Sequence, residues 1–132
     1  MLVGLEIPLT IYTENHRLIY DILGESRGRL GVQKQLSKAL TVRYDGAKIR
    51  TTVGLAEMVQ ITLIVTESLD QETAVALLVD WVIKTLRTKQ ARVTKLEIGK
   101  VNVGLDENKI RDVVLEKIDS MMSKNRSRRY VA

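Results

Sequence analysis

The sequence has no cysteine and no phenylalanine, and it has only one histidine, one proline and one tryptophan. The absence of cysteine excludes disulfides, thiolate metal sites and a cysteine nucleophile. Because small secreted domains often depend on disulfides, this absence favours a cytoplasmic, intracellular protein. Aromatic residues make up 4% of the chain, so we expect the core to consist of Leu, Ile and Val.

Long apolar segments are also missing. The most apolar stretch, residues 73–86, contains Asp80 and Lys84 and falls short of the roughly 20 residues that a membrane span needs. The stretch from Met1 to Glu6 has no basic region of the kind that opens a signal peptide. We therefore expect a small soluble protein. Its 132 residues, 45% of them hydrophobic and 28% charged, fit one globular domain.

Motifs of catalysis and cofactor binding are absent from the sequence. It contains no G-x-S-x-G, Walker A, dinucleotide, H-E-x-x-H or EF-hand pattern. The lone His16 has no cysteine to activate and is best interpreted as a surface residue. Acidic pairs such as Asp70 with Glu72 are better explained by the positive end of a helix than by a metal. The sequence thus predicts no enzyme, no catalytic residue, no metal and no cofactor.

Alternating apolar residues predict strands near residues 5–12 and 59–66. The dipeptide Asp45-Gly46, between two strand-like runs, predicts a type I′ hairpin that pairs residues 41–44 with residues 47–50. Gly99-Lys100 predicts either a second two-residue hairpin, with Gly99 in the first position of a type II′ turn, or a bulge in one long strand.

Helical periodicity predicts short helices near residues 14–23 and 32–40 and two longer ones. The first longer helix begins at Ser68, with Asp70 as an alternative N-cap, and ends near Arg87. The second begins at Asp106 and ends at Met122, where its apolar stripe stops.

The order of these elements predicts one α+β domain over residues 1–122. It would have a mainly antiparallel sheet of four to six strands with helices on one face, ferredoxin-like or related, plus an extra C-terminal helix. Residues 123–132 are predicted to form a disordered basic tail. Over residues 68–118, the order helix, basic turn, strand-Gly-strand and closing helix resembles small adaptor modules, among them the effector-associated components of bacterial conflict systems. No functional residue follows from this likeness.

The charge of the chain is concentrated in three stretches. The formal net charge is +5, of which residues 123–132 supply +4. Internally, residues 26–50 carry +6 and residues 84–105 carry +5, balanced by acidic blocks elsewhere. Basic side chains can neutralise phosphates without any sequence motif. The function that we predict is therefore non-enzymatic binding of nucleic acid, or association with a nucleoprotein, through these stretches.

The predicted phosphate contacts are twelve of the basic residues in the three stretches: Arg27, Arg29, Arg43, Lys48, Arg50, Arg87, Lys89, Arg92, Lys95, Arg126, Arg128 and Arg129. Tyr12 and Tyr130 are the only obvious candidates for stacking on bases. The alternative is a protein-interaction or assembly module that uses the apolar helix of residues 68–87. Val79 and Ile83 would then lie at the interface, with Trp81 as a core anchor or an interface hot spot, and a homo-oligomer or a protein partner is expected.

Overall fold

A computed structural model of the protein describes residues 4–24, 30–49, 57–66 and 68–130, with backbone only for residues 49 and 122–130. The strands are β1 (Gly4–Thr13), β2 (Gln33–Gln35), β3 (Leu40–Ile49), β4 (Glu57–Thr66), β5 (Val93–Ile98) and β6 (Val101–Asn102). The helices are α1 (Leu18–Leu23), α2 (Gln71–Leu86) and α3 (Glu107–Tyr130). A short 3₁₀ turn, Lys89–Ala91, lies between α2 and β5.

The strands form one antiparallel sheet in the order β2-β3-β4-β1-β5-β6. Its centre is the pair β1 and β4, which are matched from Gly4 opposite Thr66 to Thr13 opposite Glu57. The predicted α+β architecture with a mainly antiparallel sheet is thereby confirmed. Pro8 lies in this central strand, not at an edge, and Pro8 and Thr62 are opposite each other in the register.

A single aliphatic core lies between the sheet and the helices. Alternate residues of β1 (Leu5, Ile7, Leu9 and Ile11) and of β4 (Val59, Ile61, Leu63 and Val65) are buried in it. The buried residues of all three helices join the same cluster. The helices therefore cover one face of the sheet. We call the opposite face, which carries Glu6, Arg43, Gln60 and Lys95, the helix-free face.

The predicted hairpin at Asp45-Gly46 is wrong. β3 continues through both residues and pairs with β4 along its whole length, from Leu40 opposite Val65 to Ile49 opposite Glu57. Asp45 is an extra residue at a shift in register between Tyr44 and Gly46. Gly46 has φ 135°, a backbone conformation that glycine adopts far more readily than other residues. The dipeptide thus forms a bulge and not a turn.

Two other local predictions need correction. Residues 33–35, predicted to be helical, form β2, where Gln33 pairs with Arg43 and Gln35 with Thr41. The α2 helix has Asp70 as its N-cap and not Ser68, because the Asp70 carboxylate accepts a hydrogen bond from the Thr73 N–H.

The hairpin at Gly99-Lys100 is confirmed: Ile98 pairs with Val101. Gly99 has φ 63°, whereas Lys100 has no positive φ, as expected for a type II′ turn. The α1 helix begins at Leu18, four residues later than predicted.

Helix α3 lies antiparallel to α2. Asp80 of α2 and Glu107 of α3 line one end of the groove between them, and Glu72 and Leu115 line the other end. From Glu107, α3 runs towards the Gly99-Lys100 turn, where Lys117 Nζ lies beside Gly99. The last fully buried core residue is Ile118, yet the helical backbone continues past the predicted end at Met122 to Tyr130.

Among the helices of the described ranges, none combines the length and the apolar character that a bilayer crossing requires.

Candidate nucleic-acid interface

One row of residues crosses the helix-free face and joins the two internal basic stretches. Lys48 of β3 pairs with Met58 of β4, Met58 with Tyr12 of β1, and Tyr12 with Lys95 of β5. We call these four residues the basic row. Three strand spacings of about 4.8 Å separate Lys48 from Lys95, or about 14 Å in all. Both lysines are exposed, so one nucleic-acid strand lying across the sheet could contact both.

The connection from α2 to β5 adds three cations at the same end of the sheet. Residues 87–92, which we call the basic connection, include the exposed Arg87, Lys89 and Arg92. Arg92 directly precedes Val93, which pairs with Thr13 one position beyond the basic row. Within the described residues, these three side chains form no ion pair. Their charge is therefore available to an anionic ligand.

Hydrogen bonds from the end of β1 hold the basic connection in place. The hydroxyl of Thr13, a fully buried residue, donates to the Ala91 carbonyl. The Asn15 side-chain amide donates to the Gln90 carbonyl at 2.8 Å. The Glu14 N–H donates to the Arg92 carbonyl at 3.1 Å. The basic connection is thus fixed to the sheet.

Arg92 has a left-handed backbone, with φ 47° and ψ 42°. It is the only residue other than glycine with positive φ among those that the structure describes. This conformation costs an L-residue about 1–2 kcal/mol, and such strain is often found at functional sites. The fixed hydrogen bond to its carbonyl helps to maintain it.

Tyr12, a predicted candidate for stacking on bases, lies on the helix-free face, where it pairs with Met58 and Lys95. Its ring, however, is only 8% exposed. Lys95 Nζ lies 5.1 Å from the ring centroid, and the Tyr12 hydroxyl donates a hydrogen bond to Glu97. Lys95 Nζ is also 3.7 Å from Glu97. The covered ring does not offer a stacking platform for bases, so this end of the face can contact a ligand mainly through charge.

Arg43 also lies on the helix-free face, but its charge is already balanced. Its guanidinium donates to Glu6 at 2.6 Å, to Asp45 at 2.9 Å and to the Thr62 hydroxyl at 3.2 Å. The hydrogen bond to Asp45 is the main reason why the pKa of Arg43 is raised above its ordinary value, and Glu6 adds to it. Two carboxylates thus neutralise this residue, which the sequence predicted to contact phosphate.

The structure describes no side chain for the remaining six predicted contacts. Arg27, Arg29 and Arg50 lie outside the described residues. Positions 126, 128 and 129 lie on α3, for which only the backbone is described there. Since α3 passes the Gly99-Lys100 turn and continues away from the sheet, these positions are at the end opposite the basic row.

The predicted protein interface on α2 is largely inside the molecule. Val79 is 2% exposed in the single chain, where it belongs to the core. Trp81 and Ile83 are half-buried and pack against the same core. The wide apolar arc of α2 is therefore explained by contacts with both the sheet and α3, and Val79 is not accessible to a partner.

His16 accepts or donates one hydrogen bond, between Nδ1 and Glu57 Oε2 at 3.1 Å, and it is exposed. Across the described parts of the chain, no three His, Asp or Glu side chains converge in a way that could hold a metal ion.

The residues that the sequence did not single out are those that position the cations, especially Thr13, Asn15 and Met58. No local pattern marks them, because Thr13 and Asn15 bond to residues 78 and 75 positions away, and Met58 pairs with Tyr12, which is far from it in the chain. Comparisons with known protein families, with curated proteins and with solved structures give no match for this chain.

Proposed function

We propose that this protein binds nucleic acid without catalysing a reaction, and that it contacts phosphates through the basic row and the basic connection. The observation that carries this proposal is the register that aligns Lys48 with Lys95 on a face without helices. Arg87, Lys89 and Arg92 add exposed cations at that end, and none of them forms an ion pair with another described residue. Together these five side chains offer up to five phosphate contacts, of which the one from Lys95 competes with its ion pair to Glu97.

The proposed mode of binding is electrostatic and independent of base sequence. The described residues of the helix-free face belong to strands and not to a helix that could enter a groove, and Tyr12 is covered. Without stacking and without groove contacts, discrimination between bases is expected to be weak. Affinity should therefore come from the release of counterions and fall steeply as salt increases.

We also propose a ferredoxin-like arrangement for the four long strands and the two helices between them. In chain order they are β1, α1, β3, β4, α2 and β5, which is the β-α-β-β-α-β order of that fold. β2 and β6 are then additions at the two edges of the sheet, and α3 covers the remaining part of the core.

The test compares two variants that each lose three positive charges. The interface variant is Lys48→Gln, Lys89→Gln and Arg92→Asn, with asparagine chosen because it tolerates the left-handed conformation. The control is Lys34→Gln, Lys100→Gln and Lys109→Gln, all exposed and away from the basic row. Binding to labelled single-stranded and duplex probes of mixed sequence is measured by fluorescence anisotropy at low salt.

We expect the interface variant to bind at least about tenfold more weakly than the native protein, and the control to stay within about threefold, because only the first loses phosphate contacts. Equal losses in the two variants would mean that net charge alone attracts the probe. That result, or no binding by the native protein, would rule out the proposed surface.

A further inference from the structure

The groove between α2 and α3 has an acidic rim and an apolar floor. On α2, Glu72, Ala76 and Asp80 are spaced four residues apart and form one row along the groove. On α3, Glu107, Arg111 and Leu115 form the facing row with the same spacing. The larger part of this groove, next to Glu72 and Leu115, has a volume of 810 Å³.

The charges in the groove are mostly negative and the apolar floor is partly open to solvent. Its acidic residues are Asp70, Glu72, Asp80 and Glu107, against Arg111 alone. Leu115 is 43% exposed, which is unusual for a leucine in a helix that packs on a core. Among the described residues only Asp80 has an ion-pair partner, the exposed Lys84 at 3.2 Å, while Asp70 accepts the capping hydrogen bond from the Thr73 N–H. Such a surface is complementary to a basic segment with a few apolar atoms.

This chain contains a segment of that kind. Residues 119–130 continue α3 beyond its last fully buried core residue, Ile118, with Met121 the last described side chain that packs against the core, and we call them the basic overhang. From Ser123 onwards the overhang carries Lys124, Arg126, Arg128 and Arg129 and no acidic residue. At 1.5 Å per residue it is about 18 Å long, which matches the roughly 14 Å of α2 between Gln71 and Asp80.

The basic overhang cannot fill the groove of its own chain. It is the direct continuation of α3, the helix that forms one wall of the groove. An unbroken helix leads away from that wall and does not return to it. Any overhang seated in the groove therefore belongs to another molecule.

We propose that the acidic groove of one copy receives the basic overhang of a second copy. If both copies exchange overhangs, the result is a two-fold symmetric dimer in which each chain contributes the same two surfaces. The contact covers Leu115 and neutralises the acidic rim. It lies on the helix layer, at the end opposite the basic row, so it leaves the proposed nucleic-acid surface open.

A charge-swap experiment tests this contact. The groove variant is Glu72→Lys with Asp80→Lys, both exposed, and it retains Asp70 as the helix cap. The overhang variant is Lys124→Glu, Arg126→Glu, Arg128→Glu and Arg129→Glu, which changes the formal charge of residues 123–130 from +4 to −4. Self-association of each full chain is measured by sedimentation equilibrium, and helix content is checked by circular dichroism. The control is Glu14→Lys with Asp21→Lys, two exposed acids outside the groove.

We expect the native protein and the control to dimerise, and each of the other two variants to associate at least about tenfold more weakly. An equimolar mixture of the groove and overhang variants should recover association, because both contacts are then again between opposite charges. Recovery also shows that the variants are folded. Deletion of residues 123–132 should abolish the dimer and leave the helix content of the rest intact.

Three results would overturn the proposal: a monomeric native protein at the highest soluble concentration, a mixture that does not recover association, or a dimer that survives the deletion. A fourth concerns nucleic acid. If the overhang variant dimerises as tightly as the native protein but binds the nucleic-acid probes more weakly, the overhang contacts phosphates instead. A failure of nucleic-acid binding alone leaves the dimer proposal standing.

Discussion

At the scale of single residues, the partners of a charged side chain decide whether it can bind a ligand. Arg43 and Lys48 lie on the same strand and the same face, and the sequence treats them alike. Arg43 is surrounded by Glu6, Asp45 and Thr62, whereas Lys48 has no ion pair among the described residues. Glu6 is far from Arg43 in the chain, so no local pattern could reveal the difference.

Arg43 should matter for stability and little for binding. The substitution Arg43→Gln removes the cation that Glu6 and Asp45 share. It also weakens the hydrogen-bond network around the buried Thr62. Because Arg43 is about one-third exposed, we expect a modest loss of about 1 kcal/mol in the free energy of unfolding, measured by urea denaturation. Affinity for nucleic acid should change by less than about threefold, since the lost charge was already balanced.

The outcome that would contradict this interpretation is a loss of affinity comparable to that of a Lys48→Gln variant with stability unchanged. Arg43 would then contact phosphates despite its two carboxylate partners.

At the scale of elements, non-local pairing overrides local turn signals. Asp45-Gly46 fits a type I′ hairpin by its residue types, and the prediction went wrong because β4 offers ten positions with which β3 pairs along its length. The Gly99-Lys100 hairpin, one of the two alternatives predicted there, is correct, because β6 pairs among the described strands only with β5, its neighbour across the turn. Residues 33–35 have too few apolar positions for periodicity to distinguish a strand from a helix.

The bulge in β3 depends on the conformation of Gly46. In Gly46→Ala, the alanine backbone would have to adopt φ 135°. There is room for the added Cβ, since its nearest neighbour, Leu30 Cδ2, would be 3.4 Å away. Strain and not a clash is therefore the main effect, and we expect a loss of about 1–3 kcal/mol in unfolding free energy. Urea denaturation provides the measurement, with Ala47→Ser at the adjacent exposed position as the control. Equal stability of the two variants would show that the bulge tolerates any residue.

The Asp70 N-cap of α2 should make the stability of the folded protein depend on pH. Hydrogen bonds from Thr73 lower the pKa of Asp70 below its ordinary value. Because the pKa of Asp70 is lower in the folded state, its ionised side chain stabilises the protein at pH values above the ordinary pKa of about 3.9. This contribution is lost as the pH falls through the pKa that Asp70 has in the folded protein. Asp70→Asn keeps a capping side chain but cannot ionise.

We therefore expect the native protein to melt at a higher temperature than Asp70→Asn at neutral pH, and the difference to shrink below about pH 4. Thermal unfolding followed by circular dichroism over this range is the measurement. A difference that stays constant with pH would show that the charge of Asp70 does not contribute.

At the scale of the whole molecule, the fold decides which of the basic and acidic stretches share a surface. The formal net charge of +5 gives no hint that cations gather at one end of the helix-free face while acids line the groove between α2 and α3. The sequence shows where the basic stretches are but not that they share a surface, because Lys48 and Lys95 are aligned in one row only by the pairing of β4 with β1. Strand and helix types were predictable from periodicity, whereas this placement follows from topology.

The salt dependence of nucleic-acid binding tests the proposed surface most directly. Each phosphate contact contributes about 0.7 to the slope of log affinity against log salt for a single strand and about 0.9 for a duplex. We predict that the variant Lys48→Gln, Lys89→Gln and Arg92→Asn has a slope lower in magnitude than that of the native protein by about 2 for a single strand. The control Lys34→Gln, Lys100→Gln and Lys109→Gln should retain the native slope. Identical slopes for the two variants would contradict a binding surface formed by the basic row and the basic connection.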